Sequence, residues 1–250
     1  MPSLDAVLNG LRRRRHTALL VAIGLALAAR PVMGEAGRGP IVFSLGFLTV
    51  MLVALYTIQV DDLVGQRGRL LVQRRRRRVA GVVLAAAAIA ARFGLFVAPS
   101  PRFYIVGTLC WLLFIAFVTW SLLRSLVRQK EITNETISMS IAVYLLLGLT
   151  WGLVYVLIFQ VDPQAFSFGS PAEDAEFHAA HPDKVFPVLI YFSLVTLATV
   201  GYGHIYPISL QARYIAVAEG ITGQFFLAVL VARLVGMQMS RAIEQDRDRS

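Results

Sequence analysis

Charged residues are scarce in this chain of 250 residues: they make up 16% of it, against roughly a quarter of an ordinary globular domain. Too few are present to solvate the surface of a large soluble core. Cysteine occurs once, at Cys110, which excludes an intrachain disulfide and a thiolate metal cluster. Acidic residues are outnumbered, 15 against 24 basic ones, leaving a net charge of +9. A basic balance can mark nucleic-acid binding. Here the arginines fall in short stretches between apolar runs, a distribution that orients a membrane protein, so no nucleic-acid partner is expected. Internal repeats and low-complexity linkers are absent. What the chain has in abundance is hydrocarbon: 57% of its residues are apolar, the mean hydropathy is +0.65, and several runs approach the ~20 residues that cross a bilayer as helix. The expected class is an all-α polytopic membrane protein.

Six runs are long enough to be spans: Thr17 to Met33, Ile41 to Val60, Val79 to Ala98, Phe103 to Leu123, Ile137 to Gln160 and Leu210 to about Met237. A seventh, Val185 to Ala198, has only about 14 residues, which suits a re-entrant helix better than a crossing. The arginine blocks test this arrangement. Arg12 to Arg15, Arg74 to Arg78, the group Arg124, Arg128 and Lys130, and Arg241, Arg247 and Arg249 all share one side if six spans alternate and the short stretch does not cross. Both termini are then cytoplasmic, in a multi-pass protein of the plasma or inner membrane. The acidic loop with Asp162, Glu173, Asp174, Glu176 and Asp183 faces out. Residues 1–33 also fit a signal peptide, although no clean small-x-small cleavage site precedes a polar start, and a retained first span is the reading taken.

The expected domains are a four-span bundle at 1–135, a region at 136–240 that holds the last two spans and the short stretch between them, and a short cytoplasmic tail at 241–250. Arg74 to Arg78 is read as part of a cytoplasmic loop, with anionic lipid headgroups as its sharper partner. Arg92 alone does not make a voltage sensor, which needs several charges along one helix; the run Phe103 to Leu123 has none. Arg233, near the end of the last span, is read as an interfacial side chain that snorkels.

One segment stands apart. The short apolar stretch is followed by Thr199-Val200-Gly201-Tyr202-Gly203. Non-helical backbone at membrane depth is tolerated only where protein buries it or it lines a watery cavity. Glycine reaches positive φ without penalty, so Gly-x-Gly can turn successive carbonyls one way. A row of like-facing carbonyls is a set of ligands for a dehydrated monovalent cation, and a helix aiming its C-terminal end at the same place favours that charge.

These five residues resemble the signature of the potassium-channel family, whose filter is Thr-Val-Gly-Tyr-Gly. Thr196 stands where the family's longer motif has its first threonine, Tyr206-Pro207 fits the turn after the filter, and Gly220 to Gly223 resembles the middle of its inner helix. The resemblance covers about Ile137 to Met239. It implies a homotetramer in which the carbonyls of Thr199, Val200, Gly201 and Tyr202 hold potassium, the Thr199 hydroxyl closes the innermost site and Gly203 supplies the turn out. It further implies an aromatic cuff at Tyr191 and Phe192, where the family often has tryptophans, and a gating hinge at Gly223. His204 replaces the usual aspartate after the filter, and Ala198 a frequent threonine. A histidine titrates near neutrality, so His204 is either a charge-changing ring at the outer mouth or a structural contact.

Glu219 lies in the middle of the last span, where an ionisable group is costly and a functional candidate. Its two readings are a brace behind the pore helix and an ion ligand. No nucleophile–base pair or metal cluster suggests an enzyme, and no cofactor is expected beyond potassium as the permeant ion. The functional expectation is a potassium-selective channel. The alternatives are a non-conducting receptor or assembly subunit of pore-like fold, and a weakly selective cation channel.

Overall fold

The structure is a computed structural model and describes residues 14–33, 46, 48–57, 71–97, 100–129, 133–179 and 182–247. In chain order the described helices are α1 (Arg15–Met33), α2 (Leu48–Thr57), α3 (Leu71–Val97), α4 (Pro101–Arg128), α5 (Asn134–Val161), α6 (Pro171–Ala179), α7 (Pro182–Leu197) and α8 (Leu210–Arg247). Three of these contain windows long and apolar enough to cross a membrane: Arg102–Arg128, Asn134–Val161 and Leu210–Arg233. The first and second expected spans are described only in shorter apolar helices, Arg15–Ala28 and Leu48–Thr57.

Local chemistry sets most boundaries. α4 begins with Pro101 at its first position, behind Ser100, whose side chain accepts from the Phe103 N–H; a proline costs nothing where the N–H has no helical partner. α5 starts with a capping box between Thr133 and Thr136, which satisfies two of the donors left over at a helix start. One expectation is corrected here. Arg74 to Arg78 does not lie in a loop but inside α3, which begins at Leu71; arginine is a good helix former and its charge can stay solvated at a helix end. The last helix continues to Arg247, through most of the segment 241–250.

Helix α5 is the centre of the molecule. It packs against α1, α4, α7 and α8. One core joins Leu19 and Ile23 of α1, Met51 of α2, Phe114, Ile115 and Leu122 of α4, and Leu146 and Leu149 of α5. A second, more aromatic core lies at the other end of α5, where Tyr155 and Phe159 meet Phe166, Phe168, Leu189 and Phe192. Across the first core, the Glu135 carboxylate of α5 accepts from the His16 N–H (3.0 Å) and the Thr17 hydroxyl (2.6 Å). A side chain of one helix thereby caps the exposed donors at the start of another.

The connection from α5 to α7, expected as an acidic loop, is structured. A short 3-10 turn, Pro163–Ala165, leads into the strand β1 (Phe166–Ser167), which pairs antiparallel with β2 (Tyr206–Pro207). The Ile208 N–H adds a bond to the Ala165 carbonyl at 2.7 Å. Asp174 of α6 accepts from the Phe168 N–H (2.5 Å) and the Ser167 hydroxyl (3.1 Å). The chain leaving residues 198–205 is therefore fastened to one small platform.

Candidate functional site

The site begins where α7 ends. The Thr199 N–H donates to the Thr196 carbonyl at 3.0 Å, and the Val200 N–H reaches back to the Val195 carbonyl at 3.0 Å. This pair of bonds is the Schellman closure of a helix, which needs a left-handed residue between the two. Thr199 supplies it, at φ +57, and is the only non-glycine with positive φ among the described residues. Glycine is the usual occupant, and a β-branched residue there is strained by about 1–2 kcal/mol. Strain of that kind is retained where the side chain has another use.

Beyond Thr199 the sign of φ alternates. Gly201 has φ +57 and Gly203 φ +82, while Val200 and Tyr202 keep negative φ. In an extended strand, successive carbonyls point to opposite sides. When left- and right-handed conformations alternate, successive peptide planes turn back on one another and their carbonyls face the same way, as N–H groups do in an anion-binding nest. Thr199 to His204 are all exposed in the single chain. The arrangement can offer a line of oxygens to a cation on that open face.

The surroundings fix this segment from behind. The end of α7 lies against α8 so closely that a Cβ on Gly223 would sit 2.3 Å from the Leu197 carbonyl oxygen. That carbonyl also accepts from the Tyr144 hydroxyl of α5 at 3.1 Å. Gly148 and Gly152 on α5 make the same allowance for α7: a Cβ at either would come within about 2.6 Å of Leu194 or Ile190. Glu219 is fully buried and accepts from the Tyr155 hydroxyl at 2.5 Å and from the Ser193 hydroxyl. Ser193 lies 2.7 Å from the Gly148 carbonyl as well. The three long elements α5, α7 and α8 thus meet on one carboxyl group. Of the two readings for Glu219, its position fits the brace, since it is fully buried and held by Tyr155 and Ser193.

The other expected residues are placed as follows. Tyr191 is exposed and its ring lies 5.6 Å from that of His204; Tyr202 lies 6.3 Å from His204 on another side. Phe192 turns into the aromatic core, 5.0 Å from Tyr155 and 5.8 Å from Phe166, so within one chain only Tyr191 stands beside the 199–204 segment. Thr196 contributes its backbone carbonyl to the closure of α7. Gly223 lies in an unbroken stretch of α8, and the close approach to Leu197 is what its missing side chain serves here. Arg233 donates to the Leu126 carbonyl at 2.6 Å and to the Gln129 carbonyl, at the C-terminal end of α4. Arg12, Arg13, Lys130 and Arg249 lie outside the described residues.

Sequence reasoning missed Tyr144, Tyr155, Ser193 and Gln224. Gly148 and Gly152 carried a readable signal, the Gly-x-x-x-Gly spacing of close helix contacts in membranes. Gln224 carried one too, as a polar residue inside an apolar span.

Against this geometry, the family described as "Ion channel" matches residues 143–239. The match covers less than half of the chain and marks that segment as similar to ion channels. The matched segment covers the second half of α5, the β1–β2 platform, α7, the 198–205 segment and most of α8. Protein LctB of Bacillus caldotenax is 35% identical over 94 residues, 37% of this chain and 64% of the relative. The match therefore spans somewhat less than two thirds of that relative's length. No solved structure matches. The ion-channel segment and the apolar helices make this a membrane protein with an ion-transport domain.

Proposed function

We propose that this chain is one subunit of a potassium-selective channel in which four copies surround a central pore. The observation that carries the reading is the alternation in the sign of φ, positive at Thr199, Gly201 and Gly203 and negative at the residues between them. A dehydrated potassium ion needs oxygens on all sides, and one chain offers a single line of them; four lines close the cage. Potassium passes as cargo, held by the carbonyls of Thr199, Val200, Gly201 and Tyr202 and, at the innermost position, by the Thr199 hydroxyl. Gly203 turns the chain out of the filter. Glu219, with Ser193 and Tyr155, keeps the back of α7 in register, and Tyr191 and His204 form the outer rim. The residues before 136 form a peripheral helical bundle, six spans cross the membrane, and both termini lie on the cytoplasmic side.

The test is flux. The purified full-length chain, reconstituted into liposomes with an outward potassium gradient, is expected to dissipate that gradient through a valinomycin-independent path. Under bi-ionic conditions in planar bilayers, the reversal potential is expected to lie far from zero in favour of potassium over sodium. Absence of flux ends the channel reading, and a reversal potential near zero replaces it with an unselective cation pore.

A further inference from the structure

Gln224 is an amide on the same bare stretch of α8 as Val217, Ile221 and Phe225, all of which are exposed. Its Nε2 donates to the Thr199 hydroxyl oxygen across 3.3 Å. The two residues are 25 apart in sequence and meet because Gly223, the neighbour of Gln224, lets the backbone of α8 touch the Leu197 carbonyl. A side chain at 223 would hold α8 away and put the amide out of reach.

Threonine carries a hydroxyl and a methyl on one carbon. Rotation about χ1 exchanges them, so an unrestrained Thr199 can present carbon where oxygen is needed. Its backbone N–H is already committed to the Thr196 carbonyl and does not select a rotamer. The donor from Gln224 does, because only one rotamer brings Oγ1 within its reach. A hydroxyl oxygen has two lone pairs; the amide uses one and leaves the other for a cation. We propose that Gln224 is a positioning residue for the innermost cation site, holding the Thr199 hydroxyl rather than the methyl toward the open face. The proposal rests on the channel reading and names a residue through which that site is set from α8.

Barium is the probe, since it carries two charges at nearly potassium's ionic size and lodges where potassium is coordinated. It is applied to the full-length chain in planar bilayers, from the side on which the Arg233 end of α8 lies. Gln224→Met and Gln224→Leu both remove the donor at similar length, and each is expected to weaken the block about fivefold, the size of one ordinary hydrogen bond. If the leucine variant does not assemble, the unbranched methionine decides. In a Thr199→Val background, where no hydroxyl remains to be held, Gln224→Met is expected to change the block no further; a second fivefold loss there overturns the proposal. So does a conducting Gln224→Met variant blocked as well as the parent. A parent chain that carries no potassium flux removes the channel reading itself, an outcome separate from both.

Discussion

Thr199 and Gly201 share φ +57 but belong to opposite cases. Glycine adopts that conformation freely, whereas threonine holds it under strain. Gly201→Ala places a Cβ where nothing crowds it within the chain, so its cost is conformational, about 1 kcal/mol, and selective conduction is expected to vanish while the protein still assembles. Thr199→Gly removes the strain, and the gain offsets the greater freedom glycine has in the unfolded chain. The expected result is a melting temperature no lower than the parent's, with the innermost cation site lost. A marked fall in melting temperature for Thr199→Gly would show that the left-handed threonine is not strained. Glu219 gives a third comparison. Glu219→Gln can still accept from Tyr155 through its carbonyl and turn its amide to the Ser193 oxygen, so a loss within about 1 kcal/mol is expected. Glu219→Leu leaves two buried hydroxyls without that acceptor and is expected to cost about 2–3 kcal/mol. Thermal unfolding of the purified variants measures both, and a leucine variant as stable as the parent removes Glu219 from the brace.

Among the elements, Arg233 joins two helices that otherwise touch little. Its guanidinium donates to the carbonyls of Leu126 and Gln129, where a helix end carries partial negative charge and unfilled acceptors. Arg233→Gln keeps some polarity but loses the fork, and an unfolding free energy lower by about 1–2 kcal/mol is expected; under the channel reading the fraction of time spent open should change as well. Equal stability and equal gating would leave the contact without consequence. This contact was illegible in the sequence because a charge near the end of a span ordinarily reaches for the interface, and its partner lies more than a hundred residues away. The end of α7 was legible, since a short apolar stretch stops just before Gly-x-Gly, and the structure ends that helix at Leu197. The start of α3 was not, because five consecutive arginines look like a solvated loop while their backbone is content in a helix. The β1–β2 platform has two residues in each strand, too few to leave any alternating pattern. Gly148 and Gly152 stood in plain view, but their spacing acquires meaning only once Ile190 and Leu194 lie opposite.

For the whole molecule, the decisive feature is a face that one chain leaves bare. Tyr214, Val217, Ile221 and Phe225 recur at helical spacing along α8 and are all more than half exposed, as are Val200 and Tyr202 beside them. Lipid could cover hydrocarbon of this kind. It could not cover the rest of the face, because Gln224 and the backbone of residues 199–203 are open on it, and unpaired backbone groups in contact with acyl chains each cost several kcal/mol. Such a face suits protein and water, which is what the proposed copies of the same chain around an aqueous axis would provide. A closed ring of identical subunits is the ordinary solution for a heterologous contact, and under the channel reading a cage of carbonyls around one ion sets the number at four. The expected mass of the protein part of the complex in mild detergent, by light scattering or native mass spectrometry, is four times the chain's 27.5 kDa. Val217→Lys is expected to lower that mass toward a single chain if Val217 lies between subunits, because the nearest carboxylate along α8, Glu219, is buried and already bonded to Tyr155 and Ser193. A preparation that conducts potassium selectively while remaining a monomer or a dimer would break the link between the open row of carbonyls and the assembly, and would require the missing oxygens to come from elsewhere in the same chain.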